Sequence, residues 1–177
     1  MRKLSMEELN RLSPEEFKSS EKHKVVVVLE NIRSMHNVGS VFRTADAFLI
    51  EAIYICGYTA IPPRKEIDKT ALGATETVAW KYFPRSINAV DELRASGYKV
   101  FAIEQVENSI SLESLSYHPS QGIALVFGNE VTGVEQEVIS HCDGCIEIPQ
   151  FGMKHSLNIS VAAGIVLWEL VRNNLKI

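Results

Sequence analysis

Residues 24–30 read Lys-Val-Val-Val-Val-Leu-Glu, an unbroken apolar run between two charges. β-Branched side chains suit an extended backbone and crowd a helix. A strand that is apolar at every position must be covered on both faces, as in the centre of a parallel sheet. Gly122-Ile123-Ala124-Leu125-Val126-Phe127 makes the same demand. Parallel strands cannot be joined by tight hairpins, so crossover segments must lie between them.

The intervening sequence supplies those crossovers. Val38, Val41, Phe42, Ala45 and Phe48 recur at helical spacing, and Ala52 to Gly57 returns as a strand, completing a βαβ unit. Tyr58 to Thr77, with Pro62-Pro63 and Gly73, reads as a long loop with at most one helical turn near Ile67 to Ala71. Loops of that length are usually functional. Val78 to Phe83 is a further strand; Ile87, Val90 and Leu93 describe a helix that stops before Gly97, and Tyr98 to Ile103 is the next strand. Ser109 to Gln121 is polar and turn-like. Then come the strand ending at Phe127, a helix from about Val134 to His141, the strand Gly144 to Ile148 and a last helix. Upstream, Ser5-Met6-Glu7-Glu8 and Ser13-Pro14-Glu15-Glu16 are capping boxes for two short helices in an N-terminal extension, residues 1–23. The expected fold class is α/β, a mostly parallel sheet flanked by helices, with residues 24–177 as one domain.

Several classes of function are disfavoured. The longest apolar run, Ile159 to Trp168, is shorter than the roughly 18–20 residues of a membrane span, and the N-terminus shows no signal segment, so a cytoplasmic protein with no membrane partner is expected. Three cysteines argue against a disulfide framework. Cys142-Asp143-Gly144-Cys145, even with His141 beside it, falls short of the four ligands of a structural zinc site, so no metal is expected. No G-x-G-x-x-G follows the first strand and no P-loop is present, which supports neither NAD nor ATP. The net charge of −4 does not by itself suggest nucleic acid, but Arg33, His36, Arg43, Arg64, Lys65, Lys69, Lys154 and His155 concentrate in loops and at helix starts, where they can form a locally basic surface.

The ligands of open α/β sheets bind beyond the carboxyl ends of the strands. Glu30 through Arg43, Ile103-Glu104, Gly128-Asn129-Glu130 and Ile148 through Asn158 all follow strand ends. The last of these leads into an apolar helix whose start is crowded with Lys154, His155, Ser156 and Asn158. Ser156 or Asn158 caps the helix, and a junction so polar is also a plausible ligand site.

Three stretches together resemble the motifs of the SpoU (TrmH-like) branch of the SPOUT RNA methyltransferases. They are Asn37-Val38-Gly39-Ser40-Val41-Phe42-Arg43-Thr44-Ala45, Phe127-Gly128-Asn129-Glu130-Val131-Thr132-Gly133, and Ile148-Pro149 with Ser156-Leu157-Asn158. The chain departs from the family pattern at Ser34-Met35, Leu49 (a glycine in the family) and Gln150, changes that bear on substrate choice. The resemblance implies a deep C-terminal trefoil knot and S-adenosylmethionine held near Ile103, Glu104, Gly128, Ile148 and Leu157, with Gly128 admitting the main chain close to adenosine. It implies methyl transfer to a ribose 2′-hydroxyl of tRNA or rRNA by Arg43, Asn37, Glu130, Ser156 and Asn158, in a homodimer paired through the last helix and the knot. Three readings of individual residues stay open: Asn37 as a helix cap, Arg43 as a partner of a carboxylate such as Glu130, and Ile103, Ile148 and Leu157 as ordinary core residues. A catalytically silent RNA-binding or ribosome-assembly factor and a base methylase are the alternatives.

Overall fold

A computed structural model describes residues 1–5, 7–118 and 120–172 of the chain. Its sheet has seven strands: β1 His23–Glu30, β2 Ile50–Cys56, β3 Ala79–Phe83, β4 Lys99–Ile103, β5 Ile110–Ser111, β6 Ile123–Phe127 and β7 Gly144–Glu147. They run parallel in the order β3-β2-β1-β6-β4-β7-β5. The two continuous apolar runs are neighbours at the centre, with Val25 through Leu29 in register with Ile123 through Phe127. Successive side chains point to opposite faces. Val25, Val27 and Leu29 therefore join one core, with α2 (Met35–Ala47) and α7 (Ile159–Arg172), while Val26 and Val28 join the other, beneath α5 (Ser86–Ala95) and α6 (Gln136–His141). Each fully buried valine contributes about 1.5–3 kcal/mol, so a charge at Val27 would break the centre of the sheet.

The chain departs from sequence expectation in three places, each for a tertiary reason. The long segment after β2 is largely helical: α3 spans Lys65–Ala71 and α4 spans Ala74–Thr77. Ile67 and Ala71, one turn apart, are buried, and α3 packs so closely on α2 that a side chain at Gly39 would strike the Ile67 carbonyl. Leu72 and Gly73, with φ of 50° and 92°, end α3 and turn into α4. In the polar stretch 109–121, β5 adds two residues to the edge beside β7, and Leu112 is buried in the core. Of the two N-terminal capping boxes, the second opens α1 (Pro14–Ser19), and the first supports only a 3-10 turn, Glu7–Leu9. Phe17 of α1 is buried in the main core and ties the extension to the domain.

Leu49 also stands out. It has φ of 51°, left-handed backbone in which a Cβ is strained. The conformation accounts for a glycine at this position in the family pattern.

Candidate active site

The β1–α2 loop is where three distant stretches meet. Ser34 caps α2, its hydroxyl accepting the Asn37 amide at 3.3 Å. Asn37 is therefore inside the first turn of the helix, which decides against its reading as the cap. Its side chain is used elsewhere: Nδ2 donates to Glu130 Oε1 at 3.0 Å, and Oδ1 accepts from Asn158 Nδ2 at 3.2 Å. Glu130 also accepts the backbone amides of Arg33 at 2.9 Å and Ser34 at 3.0 Å. Burial works to raise the Glu130 carboxyl, but these donors outweigh it and hold the group below the ordinary carboxylate range. The Glu130 carboxylate thus clamps the loop after β1 to the loop after β6.

Asn158 closes the chain of contacts. Its carbonyl accepts the amides of Val161 and Ala162, and its Oδ1 accepts the Ser160 amide at 2.9 Å, so Asn158 caps α7 while its amide reaches Asn37. Ser156, the other expected cap, lies two residues outside the helix and is exposed.

A cleft of about 490 Å³ opens beyond the ends of β4, β6 and β7. Ile103, Glu104, Gly128, Ile148 and Leu157 all line it, together with Glu130, Ser156, Ile159 and Ala162. Gln105 Nε2 donates to the His155 carbonyl at 3.1 Å, drawing the loop before α7 toward the loop after β4. Glu104 is engaged by the protein itself, its two oxygens accepting the amides of Gln105 at 2.9 Å and Val134 at 3.1 Å. Gly128 has a reason beyond admitting a ligand: a side chain there would collide with the Gly133–Val134 peptide as the chain folds back.

Asn129, quoted in the motif without a role, shapes the loop. Its Oδ1 accepts the Val131 and Thr132 amides at 2.8 and 3.1 Å, and its Nδ2 donates to the Asn31 carbonyl at 2.8 Å and to the Tyr58 hydroxyl at 2.6 Å. The run Gly-Asn-Glu was visible in the sequence; that Asn129 would reach loops near residues 31 and 58 was not.

Arg43 is exposed, as are the other seven cations singled out from the sequence. It lies about 9 Å along α2 from Asn37 at 1.5 Å per residue. It does not line the cleft and makes no hydrogen bond or ion pair with a described residue, so the reading in which it pairs with Glu130 does not hold. Cys142 and Cys145 are free, and burial pushes the Cys142 thiol up to about 12, away from ready thiolate chemistry.

A concave site of this size at the carboxyl ends of parallel strands, lined by apolar side chains such as Ile103, Ile146 and Ile148 and by polar ones such as Glu104, Asn129, Glu130 and Ser156, marks an α/β protein suited to hold a small, partly polar ligand. The model of the SpoU rRNA methylase family matches residues 24–168. The chain is 32% identical over 170 residues to the tRNA (guanosine(18)-2′-O)-methyltransferase of Thermus thermophilus, covering 96% of this chain and 85% of that protein. Among solved structures it resembles an AdoMet-bound rRNA methyltransferase from Sinorhizobium meliloti, with TM-score 0.81 and 28% identity, covering 94% of this chain and 62% of that one. It also resembles the A. aeolicus TrmH/SpoU tRNA modifying enzyme, with TM-score 0.78 and 26% identity, covering 89% of this chain and 78% of that one. The chain belongs to the SpoU rRNA methylase family. Its parallel sheet and its likeness to these structures agree with the α/β-knot fold expected from the motifs.

Proposed function

We infer that the protein is an S-adenosylmethionine-dependent methyltransferase acting on a ribose 2′-hydroxyl of transfer or ribosomal RNA. The observation that carries this is the linkage of Asn158, Asn37 and Glu130 across the three motifs, beside a cleft lined by Ile103, Glu104, Gly128, Ile148 and Leu157. The cleft suits the donor chemically. Apolar Ile148 and Leu157 offer walls to an adenine ring, and the turn from Gly128 to Gly133 presents main chain. When bound, S-adenosylmethionine supplies an electrophilic methyl group on a sulfonium.

The residues of the chain then divide the remaining work. A ribose hydroxyl is a weak nucleophile at neutral pH and must be oriented and helped to lose its proton. Arg43 carries a planar cationic fork, so it stabilises the developing alkoxide and grips the neighbouring phosphate, which takes the proton. Asn37 and Asn158 align the ribose and lock the loops. Glu130 holds the β1–α2 loop in place, and Ser156, exposed at the rim of the cleft, contacts the nucleotide.

The working unit is a homodimer in the cytoplasm. Val161, Ile165 and Trp168, at 50, 38 and 47% exposure, form one stripe along α7 at helical spacing, an apolar face suited to a second copy. Pairing there supplies Arg43, which does not line the cleft of its own subunit, to RNA held at the junction. Among the described residues no helix is long and apolar enough to cross a membrane.

The test is incubation with methyl-labelled S-adenosylmethionine and RNA from cells lacking the protein, followed by digestion to nucleosides. Label is expected in 2′-O-methylnucleosides. Label in the bases would overturn the ribose assignment, and absence of both label and calorimetric donor binding would make the protein a silent member of the fold.

A further inference from the structure

Tyr58 follows β2, and 64% of it is exposed, yet it is held at both ends. Its backbone amide donates to Asn31 Oδ1 at 3.2 Å, and its hydroxyl accepts from Asn129 Nδ2 at 2.6 Å. Asn129 is itself buried, and its remaining hydrogen-bonding positions are taken by Asn31, Val131 and Thr132, so it cannot turn away from the ring. The neighbouring Thr59 is stitched to the same loop, its hydroxyl accepting the Ile32 amide at 2.8 Å. Gly57 allows this docking, since a side chain there would meet Asn31. The result is an aromatic ring fixed in position with most of its surface in water, anchored to the residue next to Glu130. Arg33 is exposed on the loop to which the Tyr58 backbone is tied.

A solvent-facing aromatic ring that is held rigidly, docked on a loop that also carries the exposed Arg33, matches what single-stranded RNA offers: an unstacked base with a phosphate nearby. We propose that Tyr58 is a stacking platform for a nucleobase of the RNA substrate, next to the nucleotide at the cleft, with Arg33 taking the adjoining phosphate. The proposal rests on the reading of the site as an RNA methyltransferase and adds the residue that positions the RNA. Tyr58 does not line the cleft, so it acts on RNA and not on the methyl donor. The hydroxyl sets the ring and the ring face does the binding, so removing the hydroxyl should matter far less than removing the ring.

The test measures binding of the full chain to a short, mixed-sequence, single-stranded oligoribonucleotide, with donor binding followed separately by calorimetry. Tyr58→Leu is expected to weaken RNA binding roughly 5- to 100-fold, the range of one lost base stack, and to leave S-adenosylmethionine affinity unchanged. Tyr58→Phe is expected to stay within about twofold of the parent, as the ring remains. Unchanged RNA affinity in Tyr58→Leu would overturn the proposal. So would equal losses in both variants, which would make the Asn129 contact the source of the effect, or a change of oligomeric state in Tyr58→Leu, which would make the ring a protein contact. A parent that binds RNA but transfers no methyl group would remove the enzymatic reading and leave the stacking role standing; a parent that binds no RNA would overturn both.

Discussion

Asn158 donates its side-chain amide to Asn37 Oδ1 across 3.2 Å, joining residues 121 positions apart in the chain. The same Asn158 caps α7 through its Oδ1 and main-chain carbonyl. One side chain therefore both starts the last helix and ties it to the first motif. The two duties separate by substitution. Asn158→Ser keeps a good cap and should unfold within about 0.5 kcal/mol of the parent in urea, whereas Asn158→Ala should lose about 1 kcal/mol. Both lose the amide and should fall about 100-fold in methyl transfer, the scale of a misplaced reacting group. Full activity in Asn158→Ser would show that capping is all the residue does.

Arg43 makes no hydrogen bond or ion pair with a described residue, so its removal has little to disturb in the fold. Arg43→Ala should melt within about 0.5 kcal/mol of the parent yet lose about 100- to 1000-fold in rate. Arg43→Lys should recover little of that loss, because an ammonium cannot reproduce the planar guanidinium fork. A fully active lysine variant would reduce the role of Arg43 to point charge.

Gly128 faces the Gly133–Val134 peptide with no room for a methyl group. Gly128→Ala should destabilise the protein by about 1–3 kcal/mol through overpacking. It should also weaken S-adenosylmethionine binding, because the turn that walls the cleft must move aside. Calorimetry and thermal melting of the same preparation check both effects.

Glu30 ends β1 fully buried, and its Oε2 accepts the Glu135 amide at 3.0 Å. Burial raises its carboxyl above the ordinary value, with the Glu135 amide and the Ser86 hydroxyl acting against the shift. A carboxyl whose pKa is higher folded than unfolded favours the fold below its unfolded value near 4.5, and that contribution is lost as pH rises through the folded value. Glu30→Gln removes this dependence. Urea melts should find the variant more stable than the parent near neutral pH, with the gap closing as pH falls toward 4.5. A gap that widened on acidification would reverse the sign of the argument.

Much of the framework was legible because it is encoded locally. The valines of β1 and the apolar run of β6 could only be covered on both faces, and the helix periodicities between strands left one class of architecture. The motif residues were legible as a set, and their clustering at strand ends anticipated the cleft. Of the segment after β2, the sequence showed one helical turn near Ile67 to Ala71 but neither the full α3 nor α4, because a stretch with two prolines and many charges extends its helix only when Ile67 and Ala71 pack against α2. The roles of Asn129, Glu104 and Gly128 were hidden for a similar reason: each serves a contact with a residue far away in sequence or with the far side of its own turn.

What the sequence determined by itself was the parallel α/β layering and the gathering of the motif residues at strand ends, since hydrophobic periodicity and motif order act over short stretches of chain. What only the tertiary structure decided was who holds whom: that Asn37 bridges Glu130 and Asn158, that Glu130 clamps backbone and leaves Arg43 to the solvent, and that Tyr58 stands fixed and bare. Hydrogen bonds require partners within about 3 Å and in line. Such proximity between residues a hundred positions apart exists only once the sheet has assembled and brought its loops to one edge.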